Sequence, residues 1–61
     1  MKVLAAQTII DGNLQREVVV DIASDGRILS LAPLSSFPHE PANTRYIESL
    51  EIINGFAHLP S

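Results

Sequence analysis

The segment from Glu17 to Leu31 reads EVVVDIASDGRILSL and has the pattern of a β-hairpin. Two apolar runs flank Asp25-Gly26, and an Asp-Gly pair between such runs is a strong signal for a tight turn. In the first run, alternate aliphatic residues fall on one face of a strand, namely Val18, Val20 and Ile22. We therefore predict an antiparallel hairpin with Gly26 at positive φ, a conformation that glycine adopts without steric cost.

The sequence on either side of this hairpin predicts two more elements. Residues 3–10 are aliphatic and β-branched and stop at Asp11-Gly12, so they predict a first strand. Residues 45–53, RYIESLEII, fit two interpretations. A helix would align Ile47, Leu50 and Ile53, whereas a strand would align Tyr46, Leu50 and Ile52. We favour the strand, because β-branched residues suit it and because a small sheet needs another strand to pair with.

Proline-rich and turn-forming segments separate these elements. Pro33 ends the third predicted strand, because proline donates no hydrogen bond to a ladder. Residues 35–44, SSFPHEPANT, predict a surface loop, and residues 54–61 predict a loop-like tail. The chain is thus expected to be a single small β domain over residues 1–61. Its fold class is mostly β, with a small antiparallel sheet or half-sandwich of about four strands and a long loop before the last element.

The composition points to association with another surface. The chain has 61 residues, of which 46% are hydrophobic, and it has no cysteine, so disulfides and thiolate metal sites cannot stabilise it. A core of this size supplies little net stability on its own, which favours a homo-oligomer or a protein partner. We expect the chain to run larger than a monomer. The candidates for an apolar interface are Ile9, Val19, Leu29 and Ile47.

The charge pattern argues against two classes of partner. The net charge is −3, and the four basic residues are scattered along the chain rather than clustered in a stripe, so we expect no nucleic-acid binding. No apolar run approaches the length of a membrane span, so we expect no membrane insertion. The lack of cysteine fits a reducing compartment, and we expect a cytoplasmic location.

Residues with catalytic chemistry are few and poorly grouped. His39 and His58 are the only histidines, and neither has a companion at the spacing of metal ligands. Glu48 and Glu51 would share one face of a helix but not of a strand. No nucleophile elbow and no glycine-rich phosphate loop occurs. We therefore assign no catalytic or cofactor-binding residue, expect no cofactor in this chain, and regard His58 as the one candidate metal ligand.

Two segments together resemble a known family. Residues 2–12, KVLAAQTIIDG, and the hairpin 17–31 with its Asp-Gly-Arg-Ile turn are similar to the N-terminal β-sandwich of metal-dependent amidohydrolases, the family of dihydroorotases and cytosine deaminases. The resemblance implies a β platform that leads into a (β/α)₈ barrel. Family members hydrolyse C–N bonds with water activated by a divalent metal such as zinc. The barrel opens with Pro-Gly-Phe-[Ile/Val]-[Asp/Asn]-x-His-x-His, whose histidines bind that metal.

The end of this chain departs from that motif. One alignment sets Asn54-Gly55-Phe56 against Pro-Gly-Phe, which brings His58 too close to the glycine. The other sets residues 52–59, IINGFAHL, against Phe-Val-Asn-x-His-x-His-Leu, so that Phe56 replaces the first histidine. We prefer the second, because it needs no gap. The resemblance then implies an amidohydrolase-like domain that is inactive as an isolated chain. The alternative is a small β interaction module that self-associates or caps a partner protein.

Overall fold

The computed structural model describes residues 1–59, so the prediction of a loop at Pro60 and Ser61 lies outside the described residues. The elements within this range are β1 (Lys2–Ile10), β2 (Asn13–Ile22), β3 (Ile28–Pro33), a 3₁₀ turn (Leu34–Ser36), β4 (Arg45–Ile53) and β5 (Phe56–His58). The predicted mostly β class is confirmed. Residues 45–53 form a strand, as favoured above, rather than a helix.

The strands form one sheet in the order β3-β2-β1-β4-β5. Three of the pairings are antiparallel, but β1 and β4 run parallel, from Val3 beside Arg45 to Ile10 beside Ile52. The prediction of a purely antiparallel sheet is therefore wrong at this pair. The physical reason is that β2 already occupies one side of β1. The loop 34–44 returns the chain to the other side of β1, in the direction of β1 itself.

The hairpin between β2 and β3 has the predicted geometry. Gly26 has a φ of +94°. The carboxylate of Asp25 accepts hydrogen bonds from the backbone amide of Arg27 at 3.1 Å and from its Nε at 3.1 Å. The amide of Ala23 donates to the carbonyl of Arg27 at 2.8 Å. The ladder is irregular only near Asp21, where Leu29 has no residue opposite it.

The tail differs from the predicted loop. Residues Phe56–His58 form β5, which pairs with the end of β4. Asn54 and Gly55 have φ values of +50° and +79°, so they form the kind of two-residue turn that joins antiparallel strands. An Asn-Gly pair favours such a turn, and Ala57 then packs against the core. The short β5 is the reason that the sheet has five strands.

The core lies on the concave side of the sheet. The buried apolar residues are Val3, Ala5, Val18, Val20, Ile22, Leu50 and Ile52. Along β1 the buried positions change from odd numbers at Val3 and Ala5 to an even number at Thr8, so the strand rotates its faces near Ala6. Opposite Ala6, Glu17 on β2 has a φ of +51°. The ladder is regular on either side of it, where Ala5 pairs with Val18 and Gln7 pairs with Arg16. This local irregularity lets the sheet bend around the core.

The bend brings the two ends of the sheet together. The amide of Ile28 donates to the carbonyl of Gly55 at 2.9 Å, and the amide of Ala57 donates to the carbonyl of Gly26 at 2.8 Å. Arg27 and Phe56 form the bridge between these segments. The five strands thus make a curled half-barrel.

Candidate functional site

The two histidines lie in different settings. His39 is exposed in the loop 34–44, and His58 is exposed on β5, directly opposite Glu51 of β4. Within residues 1–59, no group of three or more His, Asp or Glu side chains lies close enough to hold a metal ion. The chain therefore presents one imidazole beside one carboxylate at this position.

Phe56 and His58 point to the same side of β5. Both are exposed, while Ala57 between them packs against the core, as alternation along a strand requires. This is the arrangement that a His-x-His pair on a strand would have. The aromatic ring of Phe56 also lies near the turn, because a Cβ added at Gly26 would be 3.9 Å from its Cδ1.

A shallow pocket of about 200 Å³ lies beside His58. Its lining comprises Ile9, Ser49, Leu50, Glu51, His58 and Leu59. Ser49, Glu51 and His58 bring a hydroxyl, a carboxylate and an imidazole to one small surface. None of these three side chains takes part in a hydrogen bond or an ion pair with another described residue. The group therefore lacks the hydrogen-bonded chain that activates a serine nucleophile.

The acidic residues considered from the sequence do not converge. Glu48 and Glu51 are both exposed on the strand β4, and no helix brings their side chains together on one turn. Asp21 is half-buried on β2, with its Oδ1 3.7 Å from the amino group of Met1. The paired-carboxylate arrangement that a helix would have given is absent from β4. Asp25 and Gly26 hold the β2–β3 turn, and neither residue lines the pocket beside His58.

The four interface candidates do not share one exposed surface. Ile9 and Leu29 are exposed, whereas Ile47 is half-buried and packs against the core. Val19 is only 4% exposed, and its alternation places it on the face opposite the core. The 3₁₀ turn contacts β2. Val19 is not available for docking, because it is buried within the chain.

An exposed edge on β4 was not predicted from the sequence. This strand pairs with β1 from Arg45 to Ile52, but β5 covers only Glu51–Ile53, and Leu59 follows. Residues 45–49 therefore have no strand on their outer side within the described part of the chain. Arg45 and Tyr46 are exposed there, Tyr46 to 62%. The sequence feature that indicated an exposed edge was the presence of two charged residues, Arg45 and Glu48, within one strand.

A second pocket, of about 220 Å³, opens beside this edge. Val3, Ile47 and Leu59 supply its apolar part. The remaining lining residues are Met1, Arg45, Glu48 and Ser49. An unpaired strand edge and an apolar hollow therefore adjoin each other on β4, which is the combination that strand addition uses.

Among the described residues there is no helix with the length and apolar character needed to cross a bilayer. Comparisons of the chain with protein-family models, with curated proteins and with solved structures found no match. The resemblance to amidohydrolases thus depends on the residues of the two segments quoted above.

Proposed function

We propose that the chain is an amidohydrolase-type N-terminal β domain that acts as a non-catalytic platform. The observation that carries the proposal is the hairpin of β2 and β3. Its Asp25-Gly26-Arg27-Ile28 turn has glycine at positive φ and a strand on each side, as the resemblance requires. The chemistry of the family is metal-dependent hydrolysis of a C–N bond, and a cytoplasmic location is part of the same proposal.

The platform role follows from the state of the metal-binding motif. Phe56 stands where the preferred alignment has the first histidine, and it shares a face with His58. A catalytic metal with an open position needs three protein ligands, and His58 with Glu51 supplies two at most. In this proposal the ligands of the catalytic metal belong to a partner barrel, and this chain contributes structure alone. The part played by this chain is to pack its exposed apolar residues, such as Ile9 and Leu14, against that barrel.

The test combines sequencing with reconstitution. We expect the DNA next to this coding sequence to specify a barrel with further histidines. That barrel, expressed with and without this chain, should give more soluble and more active enzyme when the chain is present. A matched control is the chain carrying Gly26→Val, which removes the turn conformation. Flanking DNA without a barrel, or a barrel that is equally soluble and active alone, would contradict the proposal.

A second candidate is a small β interaction module. The free edge of β4 and the pocket beside it favour this function. Unpaired backbone groups at an edge bind extended polypeptide, and neighbouring pockets select its side chains. The two candidates differ in where the partner binds: the platform uses the outer face around Ile9, and the module uses residues 45–49.

A further inference from the structure

We propose that Asn54 is a site of spontaneous deamidation, and that the modified residue releases β5 from the end of β4. The reaction needs an asparagine with a mobile side chain, followed by a residue whose backbone amide is accessible and unhindered. The Asn54-Gly55 turn between β4 and β5 meets these conditions. The proposal goes beyond the platform function and does not depend on the amidohydrolase resemblance, because it concerns only the chemistry of this turn.

The reaction consumes one water and releases one ammonia, without any oxidant or reductant. The backbone nitrogen of Gly55 loses its proton to water or hydroxide and forms a bond to Cγ of Asn54. The bond between Cγ and Nδ2 then breaks, and Nδ2 takes up a proton and leaves as ammonia. Water opens the resulting succinimide ring. Cleavage of the ring nitrogen from Cγ leaves aspartate, whereas cleavage from the backbone carbonyl carbon leaves isoaspartate.

The turn leaves the reacting atoms free. Asn54 and Gly55 are both exposed. The side chain of Asn54 forms no hydrogen bond with another described residue, so it can rotate toward the next amide. The backbone amide of Gly55 likewise donates to no acceptor within residues 1–59. Apart from its chain neighbours, no atom lies within 4 Å of a Cβ added at Gly55, so the glycine is not crowded.

Two comparisons within the chain separate this turn from similar segments. The β2–β3 turn also has glycine at positive φ, but the amide of Gly26 donates to the carbonyl of Ala23 at 2.9 Å. Asn43 is exposed and has a φ of +56°, close to the +50° of Asn54. The residue after it is Thr44, whose stiff β-branched side chain hinders the amide between them. Asn43 is therefore a matched reference site in the same molecule.

The products disturb the turn through its backbone and its charge. Isoaspartate adds a methylene group to the backbone of a turn that joins the two strands with only two residues. Either product also adds a negative charge close to Asp11, whose Oδ1 accepts a hydrogen bond at 3.2 Å from the amide of Asn54. Because β5 has only three paired positions, a small loss at the turn is enough to detach it locally.

Release of β5 also opens the closure of the curled sheet. The amide of Ile28 donates to the carbonyl of Gly55 at 2.9 Å, within the turn itself. The amide of Ala57 donates to the carbonyl of Gly26 at 2.8 Å. Both hydrogen bonds connect the β4–β5 hairpin to the β2–β3 turn, so the exchange rates of these two amides report whether β5 is in place.

The experiment incubates the 61-residue chain in mildly alkaline buffer and maps its peptides by mass spectrometry. Each converted asparagine gains about 1 Da, and chromatography separates the aspartate from the isoaspartate peptide. Hydrogen exchange followed by NMR then compares the amides of Ile28 and Ala57 before and after conversion. Asn54→Asp adds the charge without lengthening the backbone. Asn43→Asp is the matched control, because it adds the same charge at the reference site.

Asn54 should convert about tenfold or more faster than Asn43, since its attacking amide is unhindered. After conversion, the amides of Ile28 and Ala57 should exchange about tenfold or more faster. Asn54→Asp should show a smaller increase, and Asn43→Asp none. Conversion of Asn54 no faster than that of Asn43 would overturn the proposal, and so would unchanged exchange of these amides in the converted chain. Neither outcome affects the reconstitution test of the platform function.

Discussion

The two hairpins of this chain, β2–β3 and β4–β5, show how differently a small sheet can be held. The first has a ladder from Val18 to Ile28, and its turn is fixed by hydrogen bonds between Asp25 and Arg27. The second has only three paired positions, so six of the nine residues of β4 have no partner in β5. Local sequence favours both turns, Asp25-Gly26 and Asn54-Gly55, but the second hairpin has fewer paired positions to hold it. The first therefore supplies structure, and the second leaves an edge for recognition.

The largest effect is expected in the core that both hairpins share. Leu50 of β4 is 1% exposed. Leu50→Ala should lower the free energy of unfolding by about 3 kcal/mol, through lost apolar burial and the cavity left behind. Leu59→Ala removes the same atoms from a side chain that is 52% exposed, and should change stability by less than about 0.5 kcal/mol. Urea denaturation measures both, and equal losses would mean that β4 is not anchored as described.

The same substitution in each turn compares the two hairpins directly. Gly26 and Gly55 have φ values of +94° and +79°. Valine strains both, by about 2 kcal/mol, because a β-branched residue disfavours positive φ. Gly26→Val should show that full loss of stability. Gly55→Val should show about half or less, since the short β5 can detach locally instead.

Thermal unfolding of the two glycine variants distinguishes these outcomes. Gly26→Asn serves as a control, because asparagine tolerates positive φ better than valine and should lose less stability. A larger loss for Gly55→Val than for Gly26→Val would reverse the assignment of the stronger hairpin.

A smaller effect, of opposite sign, is expected at Thr8. Its side chain is fully buried beside Leu50, and its Oγ1 has no hydrogen-bond partner. Thr8→Val replaces the unpaired hydroxyl with a methyl group of similar size, which should raise the free energy of unfolding by about 1 kcal/mol. Thr8→Ser keeps the hydroxyl and loses the methyl group, so it should destabilise. If Thr8→Val also destabilises, the hydroxyl has a partner.

The smallest expected effect is a gain in zinc affinity at β5. Phe56→His would place two imidazoles on one face of the strand, with Glu51 opposite His58. The variant should bind Zn²⁺ more tightly than the unaltered chain by isothermal titration. Adding His58→Ala to the variant should abolish the gain. Equal zinc binding by the unaltered chain and Phe56→His would show that the two positions do not converge.

The sequence predicted the structural features that depend on residues close together in the chain. The β2–β3 hairpin and the positive φ of Gly26 follow from the Asp25-Gly26 pair between apolar runs. The parallel pairing of β1 and β4 did not follow, because it joins strands that are far apart in the chain. The prediction of a loop-like tail is wrong at residues 56–58, because the Asn54-Gly55 turn returns the chain to pair with β4.

The candidate site was predictable only in part. Alternation along β2 correctly separates Val19 from Val20, but it cannot show that Val19 is buried as well. Likewise, the charges of Arg45 and Glu48 are visible in the sequence, while the fact that β5 stops short of them is not. Exposure of an edge depends on which strands end early, and that is decided by three-dimensional packing.

Amide hydrogen exchange followed by NMR tests the central claim, a curled sheet in which residues 45–49 of β4 form an open edge. We expect the strongest protection in the central strand β1 and in β2. In residues 45–49, the amides that face away from β1 should exchange fast. Protection of those amides, or fast exchange throughout β1, would contradict it.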